Sequence, residues 1–216
     1  MARIAIVGGT GPEGRGLGLR LAMAGHEIVI GSRDAGRALD AASGLLDVKP
    51  GLPVTGAANA DAVRHADAVL LSVPFEGLRS TATALRDALA GKLVVSIVAP
   101  LEFADGRMRA LPVPEGSAGE LTRDLLAGSR VASAFQNLSA RDLLRPDAEL
   151  RGDVAVCADD DGARRETLAL ADCIAGLRGV DAGPLSNSRY VEELTALLVN
   201  INRIHKAHST IQFLGV

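Results

Sequence analysis

The chain has 216 residues, a length that allows one compact domain or a large domain with a small appendage, but not two full catalytic domains. Hydrophobic residues make up 48% and charged residues 23%, which excludes a disordered or collagen-like chain. The net charge of −3 gives no overall positive field that would hold a polyanion nonspecifically, so we expect no nucleic-acid partner. Only two cysteines occur, and no targeting leader precedes the first apolar run, so we expect a cytoplasmic protein. No apolar run approaches the length of about 20 residues that a membrane-spanning helix needs, so we expect no membrane partner.

The first hundred residues alternate between short apolar runs and helical patterns. Residues 3–7, 27–30, 68–73 and 93–97 predict strands, and residues 14–24, 35–46 and 83–89 predict helices. Strands that are apolar on both faces and alternate with helices are typical of a parallel sheet covered on each side. The predicted fold class is therefore α/β, a Rossmann-type doubly wound parallel sheet.

The amino-acid composition changes after residue 98. A stretch rich in proline and glycine predicts a long functional loop, and the spacing of Ser117 and Glu120 indicates the capping box of a new helix. A strand follows at 130–135, and then a smaller α/β unit with strands at 154–157 and 177–181, helices at 164–175 and 190–205, and a short strand at 211–214. We predict a dinucleotide-binding domain over residues 1–138 and a small C-terminal domain over residues 139–216.

The last predicted helix carries an apolar stripe formed by Val191, Leu194, Leu198 and Ile201. A small C-terminal unit cannot easily cover such a stripe alone, so we predict a symmetric homodimer that uses this helix. The alternative is that the stripe packs only within its own chain.

A glycine-rich GxGxxG motif lies between the first predicted strand and the first predicted helix. Its glycines allow a tight turn, a close approach to a pyrophosphate and close packing of the helix on the sheet, while the free amides of the helix N-terminus face the diphosphate. The predicted cofactor site includes the whole motif, residues Gly9, Thr10, Gly11, Pro12, Glu13 and Gly14. The alternative is a glycine-rich turn that binds no ligand.

The end of the second predicted strand indicates which dinucleotide is bound. An NAD site would place Asp or Glu there, whereas this chain has Ser32 and Arg33, with Arg37 in the first turn of the next helix. These three side chains suit a 2′-phosphate, which favours NADP over NAD; the alternative is two solvated arginines beside a turn. Val73 and Pro74, at the end of the strand 68–73, complete the predicted cofactor site.

Two stretches carry a family resemblance that covers essentially the whole chain. The run from Ile4 to Arg33 and the run Val-Asp-Ala-Gly-Pro-Leu-Ser-Asn-Ser-Arg at 180–189 resemble the NADPH-dependent F420 reductases, also called deazaflavin:NADPH oxidoreductases. The resemblance implies NADP as cofactor and coenzyme F420 as co-substrate, with the C-terminal domain closing a cleft in which the deazaflavin lies against the nicotinamide. Carried over by position, it implies NADP contacts at Thr10, Ser32, Arg33 and Arg37, and a deazaflavin cleft lined by Ile97, Val98, Ala99, Pro100, Gln136, Asn137 and Leu138.

Hydride transfer between two stacked rings requires orientation and exclusion of water more than it requires polar side chains. We therefore assign no catalytic side chain, and no metal site is expected because the histidines lack metal-binding spacing. At Gln136 and Asn137 the chain departs from better-known members, which carry histidine there. Glutamine can hydrogen-bond a carbonyl but does not titrate near neutrality, so no proton transfer is expected at this position.

Two other functions are compatible with the same N-terminal motifs. One is an NADP-dependent reductase of another small acceptor, such as an imine or a hydroxy acid. The other is a nonenzymatic NADP-sensing module, which would need no apolar cleft for a second ring. Consumption of NADPH in the presence of candidate acceptors distinguishes the enzymes from the sensor.

Overall fold

A computed structural model describes residues 1–216 and contains ten strands and eight α-helices. The strands are β1 (Arg3–Val7), β2 (Glu27–Ser32), β3 (Val54–Ala58), β4 (Ala68–Leu71), β5 (Leu93–Ser96), β6 (Leu101–Ala104), β7 (Arg107–Ala110), β8 (Arg130–Ser133), β9 (Gly152–Ala158) and β10 (Leu177–Asp181). The helices are α1 (Pro12–Met23), α2 (Ala35–Val48), α3 (Asn59–Arg64), α4 (Phe75–Leu89), α5 (Ala118–Leu125), α6 (Ala140–Leu143), α7 (Asp161–Asp172) and α8 (Ser188–His205). None of the helices combines the length and the apolar character that crossing a lipid bilayer requires.

Eight strands form one sheet in the order β10-β9-β8-β5-β4-β1-β2-β3. The pairs from β3 to β8 are parallel, and the strand order reverses on either side of β1, which pairs with both β2 and β4. Such a reversal opens a crevice at the carboxyl ends of the strands, where ligands bind in open α/β sheets. The predicted doubly wound α/β fold is confirmed.

Alternate residues of each central strand point to opposite faces of the sheet, and both faces are covered. Ile4 and Ile6 of β1 belong to a core that includes side chains of α1, α2 and α7, whereas Ala5 and Val7 belong to a core shared with α3, α4 and α5. This two-sided burial explains why the central strands are continuously apolar in sequence.

The residues after 138 extend the same sheet. Strand β9 pairs with β8 in the antiparallel direction, and β10 lies parallel to β9 at the edge. The sheet is therefore continuous across residue 138, and the division into domains at this residue stays a prediction.

Several elements differ from the sequence prediction. The loop predicted after residue 98 contains the hairpin β6–β7, whose two turn residues, Asp105 and Gly106, have φ of 50° and 74°. Positive φ at both central residues is the geometry that an Asp-Gly pair favours in a two-residue hairpin turn. Strand β3 and helices α3 and α6 were not predicted either.

The prediction of a strand at 211–214 is wrong, because these residues form no strand. The side chain of Asp153, rather than a neighbouring strand, accepts the amide of Phe213 at 2.5 Å, although the backbone of Ile211 does accept the amide of Asp153. Asp153 also forms an ion pair with Arg178 at 2.7 Å, which lowers the pKa of the Asp153 carboxyl. A buried carboxylate and its arginine thus hold the C-terminal tail where a strand ladder was expected.

Candidate functional site

The glycine-rich loop is tight against the sheet on one side and open on the other. The amide of Gly9 donates to the carbonyl oxygens of Ile6 and Gly31, at 3.1 and 2.9 Å. A Cβ on Gly14 would lie 2.7 Å from the Cα of Gly9, whereas a Cβ on Gly11 would meet nothing within 4 Å. Gly14 therefore permits the contact between helix and loop, and Gly11 leaves room for a ligand.

A second contact fixes the loop from the start of helix α3. The Oδ1 atom of Asn59, at the start of α3, accepts the amide of Gly8 at 3.3 Å, and Gly8 has φ of 70°. Asn59 lies against Gly31 of β2, where a Cβ would come within 2.7 Å of the Asn59 oxygen. Asn59 thus joins the glycine-rich loop to the end of β2, a role that the sequence pattern did not reveal.

A cavity of about 810 Å³ lies above the carboxyl ends of the central strands. Most of the predicted cofactor residues line it, and Gly9 and Gly14 lie outside its wall as support for the loop. The predicted residues on the wall are Thr10, Gly11, Pro12, Glu13, Ser32, Arg33, Arg37, Val73, Pro74, Ile97, Val98 and Ala99. Residues that sequence reasoning missed are Gly8, Asp34, Asn59, Ser72, Phe75, Glu76, Gly77, Ser80 and Thr81.

The end of the cavity near β2 is cationic. Arg33 and Arg37 are exposed, and neither side chain forms an ion pair. Asp34 caps α2 by accepting the amide of Arg37 at 3.1 Å, and the hydroxyl of Ser32 accepts the amide of Asp34 at 3.2 Å. The capping arrangement fixes the turn while leaving both guanidinium groups free for an anion.

Glu13 brings a carboxyl group to the wall of the same cavity. Its Oε1 atom is buried and has no hydrogen-bond partner. Burial raises the pKa of Glu13 to about 8. Burial therefore favours the neutral, protonated form of this side chain.

The residues predicted to line a deazaflavin cleft fall into two groups. Ile97, Val98 and Ala99 follow β5 and lie on the cavity wall, whereas Pro100 lies in a small separate pocket beside Glu192. Three predicted side chains on the β8 side, those of Gln136, Asn137 and Leu138, do not line the cavity in this structure.

The amides of Gln136 and Asn137 point into the protein. The Nε2 atom of Gln136 donates to the carbonyl of Ser96 and to the hydroxyl of Ser133, and the Nδ2 atom of Asn137 donates to the carbonyl of Asp153 at 2.9 Å. The preceding residue, Phe135, is fully buried with φ of 75°, a strained conformation for a bulky side chain. The chain turns sharply at the end of β8, and this turn directs both amides inward.

Leu138 lies in a second cavity of about 230 Å³. Its wall also contains His208, whose Nδ1 lies 2.8 Å from a carboxylate oxygen of Asp142. The tail after α8 forms one side of this cavity, so sequence reasoning, which treated the tail as a strand, did not place it near Leu138.

Residues at the start of α8, Ser188 at the end of the Asp-Ala-Gly-Pro-Leu-Ser-Asn-Ser-Arg motif and Glu192 just after it, hold α8 against α5. The carboxylate of Glu192 accepts the amides of Ala118 and Gly119 at 2.8 and 3.0 Å, and the hydroxyl of Ser188 donates to that of Ser117 at 2.8 Å. Burial raises the pKa of Glu192 to about 7, although the two amide bonds act in the opposite direction. This polar network holds the C-terminal helix on the core.

The apolar stripe predicted on α8 is largely covered by its own chain. Val191 and Leu198 are buried, the former against Ala155 and Cys157, whereas Leu194 and Ile201 are half-buried. The exposed large apolar side chains of α8 are instead Tyr190, Leu197 and Ile204, and Phe103 of the hairpin is also exposed and lies under the guanidinium of Arg203.

Comparison with known proteins places this architecture in a family. Residues 3–100 match the family model described as NADP oxidoreductase, coenzyme F420-dependent. The chain is 39% identical to the F420-dependent NADP reductase of Methanothermobacter thermautotrophicus, over 93% of this chain and 89% of the relative. It is 40% identical to the reductase of the same name from Methanocaldococcus jannaschii, over 96% of each chain.

A solved structure agrees with these relatives. A protein of Arthrobacter sp. FB24, proposed to be an F420-dependent NADP reductase, superposes with a TM-score of 0.85 at 26% identity and with full coverage of both chains. The fold, the glycine-rich loop and the sequence identity over nearly the full length of the relatives agree: the chain belongs to the F420-dependent NADP reductase family.

Proposed function

We propose that this protein transfers a hydride between NADP(H) and the deazaflavin coenzyme F420. The observation that carries the proposal is one cavity that combines an open glycine-rich loop, two unpaired arginines and an apolar segment after β5. The curated relatives are named F420-dependent NADP reductases and match nearly the whole chain, which supports the same reaction here.

The residues of the cavity fit the nicotinamide nucleotide. The loop around Gly11 would receive the diphosphate on the free amides at the start of α1. Ser32, Arg33 and Arg37 would hold the 2′-phosphate through charge-assisted hydrogen bonds. With about 810 Å³, the cavity is of the size that small-molecule sites usually have.

The hydride chemistry would be supplied by the nicotinamide and deazaflavin rings themselves. The chain would orient the rings and exclude water, and Ile97, Val98 and Ala99 provide an apolar wall for that purpose. We propose that the second wall comes from the segment Gln136–Leu138, whose backbone is held to α8 by the hydroxyl of Thr195 on the carbonyl of Gln136 at 3.1 Å.

Mixing the protein with NADPH and F420 without oxygen tests the function directly. Loss of the visible absorption band of F420 together with oxidation of NADPH is the expected result. NADPH oxidation with another acceptor but not with F420 would indicate a reductase of a different substrate. NADPH binding without turnover of any acceptor would indicate a sensing module.

We further propose a cytoplasmic homodimer. Exposed Tyr190, Leu197 and Ile204 repeat every seven residues along α8, and an apolar surface of this kind is covered in many symmetric dimers. Both cysteines are free thiols, which suits a reducing compartment.

A further inference from the structure

Glu13 is an unusual side chain for a wall that receives a polyanion. It lies in the first turn of α1, on the cavity and within the glycine-rich motif. Its Oε1 atom is buried without a partner. An ionised carboxylate there would have one desolvated, unpaired oxygen and would lie near the position proposed for the diphosphate, and both conditions disfavour the charge.

No neighbouring charge compensates Glu13. None of the charged groups on the cavity wall, on α1, or on the elements packed against α1 forms an ion pair or a side-chain hydrogen bond with it, and burial is the cause of its raised pKa. These groups are Arg33, Asp34, Arg37 and Glu76 on the wall; Arg15 and Arg20 on α1; and Arg3, Glu27, Asp40, Asp47, Arg141 and Asp142 on β1, β2, α2 and α6.

A protonated Glu13 is chemically suited to this position. The neutral carboxyl group carries one O–H donor, and a phosphate oxygen is a strong acceptor for it. The free amides of the helix N-terminus favour anions, and a neutral carboxyl group leaves them to the diphosphate while adding a donor instead of a repelling charge. A pKa of about 8 leaves the proton in place at neutral pH and removes it in mildly alkaline solution.

Building on the proposed function, we propose that Glu13 holds a proton and donates it in a hydrogen bond to a diphosphate oxygen of NADP(H), so that ionisation of Glu13 weakens nucleotide binding. Glu13 is thereby a positioning residue for the cofactor. Its effect is on the binding equilibrium and does not require the acceptor.

The test measures the dissociation constant of NADPH from pH 7 to pH 9. The chain contains no tryptophan, so the fluorescence of bound NADPH can be followed without that background. With a pKa of about 8, the fraction of the protein in which Glu13 is protonated falls from about nine-tenths at pH 7 to about one-tenth at pH 9. The wild-type dissociation constant should therefore rise about tenfold. Glu13→Gln, which keeps a neutral donor at every pH, should show a flat profile.

Asp40→Asn is the matched control, because it removes a negative charge from the exposed side of α2 outside the cavity. It should keep the wild-type pH dependence. Calorimetry in buffers of different ionisation enthalpy gives a second readout: at pH 8 the wild type should take up about half a proton per NADPH bound, and Glu13→Gln almost none.

A wild-type dissociation constant that does not change between pH 7 and 9, or a slope that persists in Glu13→Gln, overturns this inference alone. Failure of the wild type to bind NADPH at pH 7 overturns the proposed function and this inference with it.

Discussion

Two arginines are the residues with which the cavity would distinguish NADP from NAD. Arg33 and Arg37 are exposed, and neither is engaged by a carboxylate, although Asp34 lies between them in sequence. Asp34 is used instead as the cap of α2. The two guanidinium groups are therefore unpaired because Asp34 closes the turn after β2 instead of binding them. Their favourable interactions depend on an anionic ligand.

Arg33→Glu should weaken NADPH binding at least tenfold and leave NADH binding nearly unchanged. Each charge-assisted hydrogen bond contributes about 1.5–3 kcal/mol, and a tenfold change corresponds to about 1.4 kcal/mol. Titration of both nucleotides measures the effect. Lys49→Glu, the same charge change at the other end of α2, should alter neither affinity, and equal losses for NADPH and NADH in Arg33→Glu would contradict the assignment.

Gly14→Ala should destabilise the protein by about 1–3 kcal/mol, because the new methyl group would lie 2.7 Å from the Cα of Gly9 and 2.9 Å from the hydroxyl of Ser72. Urea denaturation gives the free energy of unfolding. Gly44→Ala is the matched control in α2, where a Cβ meets nothing within 4 Å, and it should stabilise by about 0.5–1 kcal/mol. If both substitutions had the same sign, close packing at Gly14 would not be the cause.

At the scale of elements, hydrophobic periodicity predicted the buried strands and the long helices, because their buried positions carry the apolar side chains that form the pattern. It missed β3, whose small residues carry no apolar run. There Gly56 lies under α2, and a Cβ would fall 2.4 Å from the backbone of Ala38. Close approach of helix and strand selected small residues, and a pattern based on large apolar side chains cannot detect that requirement.

The candidate site was predictable to a similar degree. The glycine-rich loop and the β2 end are contiguous in sequence, so their residues could be named in advance. Asn59 and Ser80 reach the cavity from elements whose position depends on the tertiary fold. The inward orientation of Gln136 depends on the strained turn at Phe135, which has no signature in sequence.

The contact between α8 and α5 should depend on pH through Glu192. Its pKa is raised from 4.5 to about 7 by burial, so the native state binds a proton that the unfolded chain has released, and stability should fall as the pH rises through this window. Between pH 5 and 8 the loss attributable to Glu192 is about 2–3 kcal/mol.

Urea denaturation of Glu192→Gln across the same pH range measures this contribution. The difference in unfolding free energy between variant and wild type should shift in favour of the variant as the pH rises. Glu193→Gln changes the exposed neighbour and should give a constant difference. A constant difference for Glu192→Gln would show that its charge does not matter to the fold.

At the scale of the whole molecule, the exposed side of α8 is the surface with which two copies would associate. Leu197→Glu should convert a homodimer into a monomer, since a carboxylate would have to be desolvated at the interface. Light scattering should report twice 22.2 kDa for the wild type and 22.2 kDa for the variant. Leu39→Glu is a matched control, because Leu39 is 57% exposed and Leu197 is 55% exposed. A monomeric wild type at micromolar concentration would refute the dimer.

The nucleotide-binding half and the C-terminal tail would both contribute to the acceptor site. Leu138 lies between the nucleotide-binding half and the C-terminal tail, in a cavity that the structure separates from the nucleotide cavity. If the deazaflavin ring lies against this segment, Leu138→Arg should abolish F420 reduction and leave the dissociation constant of NADPH nearly unchanged. A cationic side chain there must lose its hydration or displace the ring, and a displacement of about 1 Å can cost about a hundredfold in rate.

Leu138→Met preserves volume and apolar character, so it should retain most of the activity. Reduction of F420 followed at its visible band, with NADPH affinity measured separately, distinguishes the outcomes. Wild-type rates in Leu138→Arg would show that the acceptor does not lie against Leu138. The deazaflavin ring would then pack against the apolar segment Ile97–Ala99 without a wall from the segment Gln136–Leu138. Loss of NADPH binding in Leu138→Arg would instead show that the two cavities are coupled through the sheet, since Leu138 packs against the core beneath both.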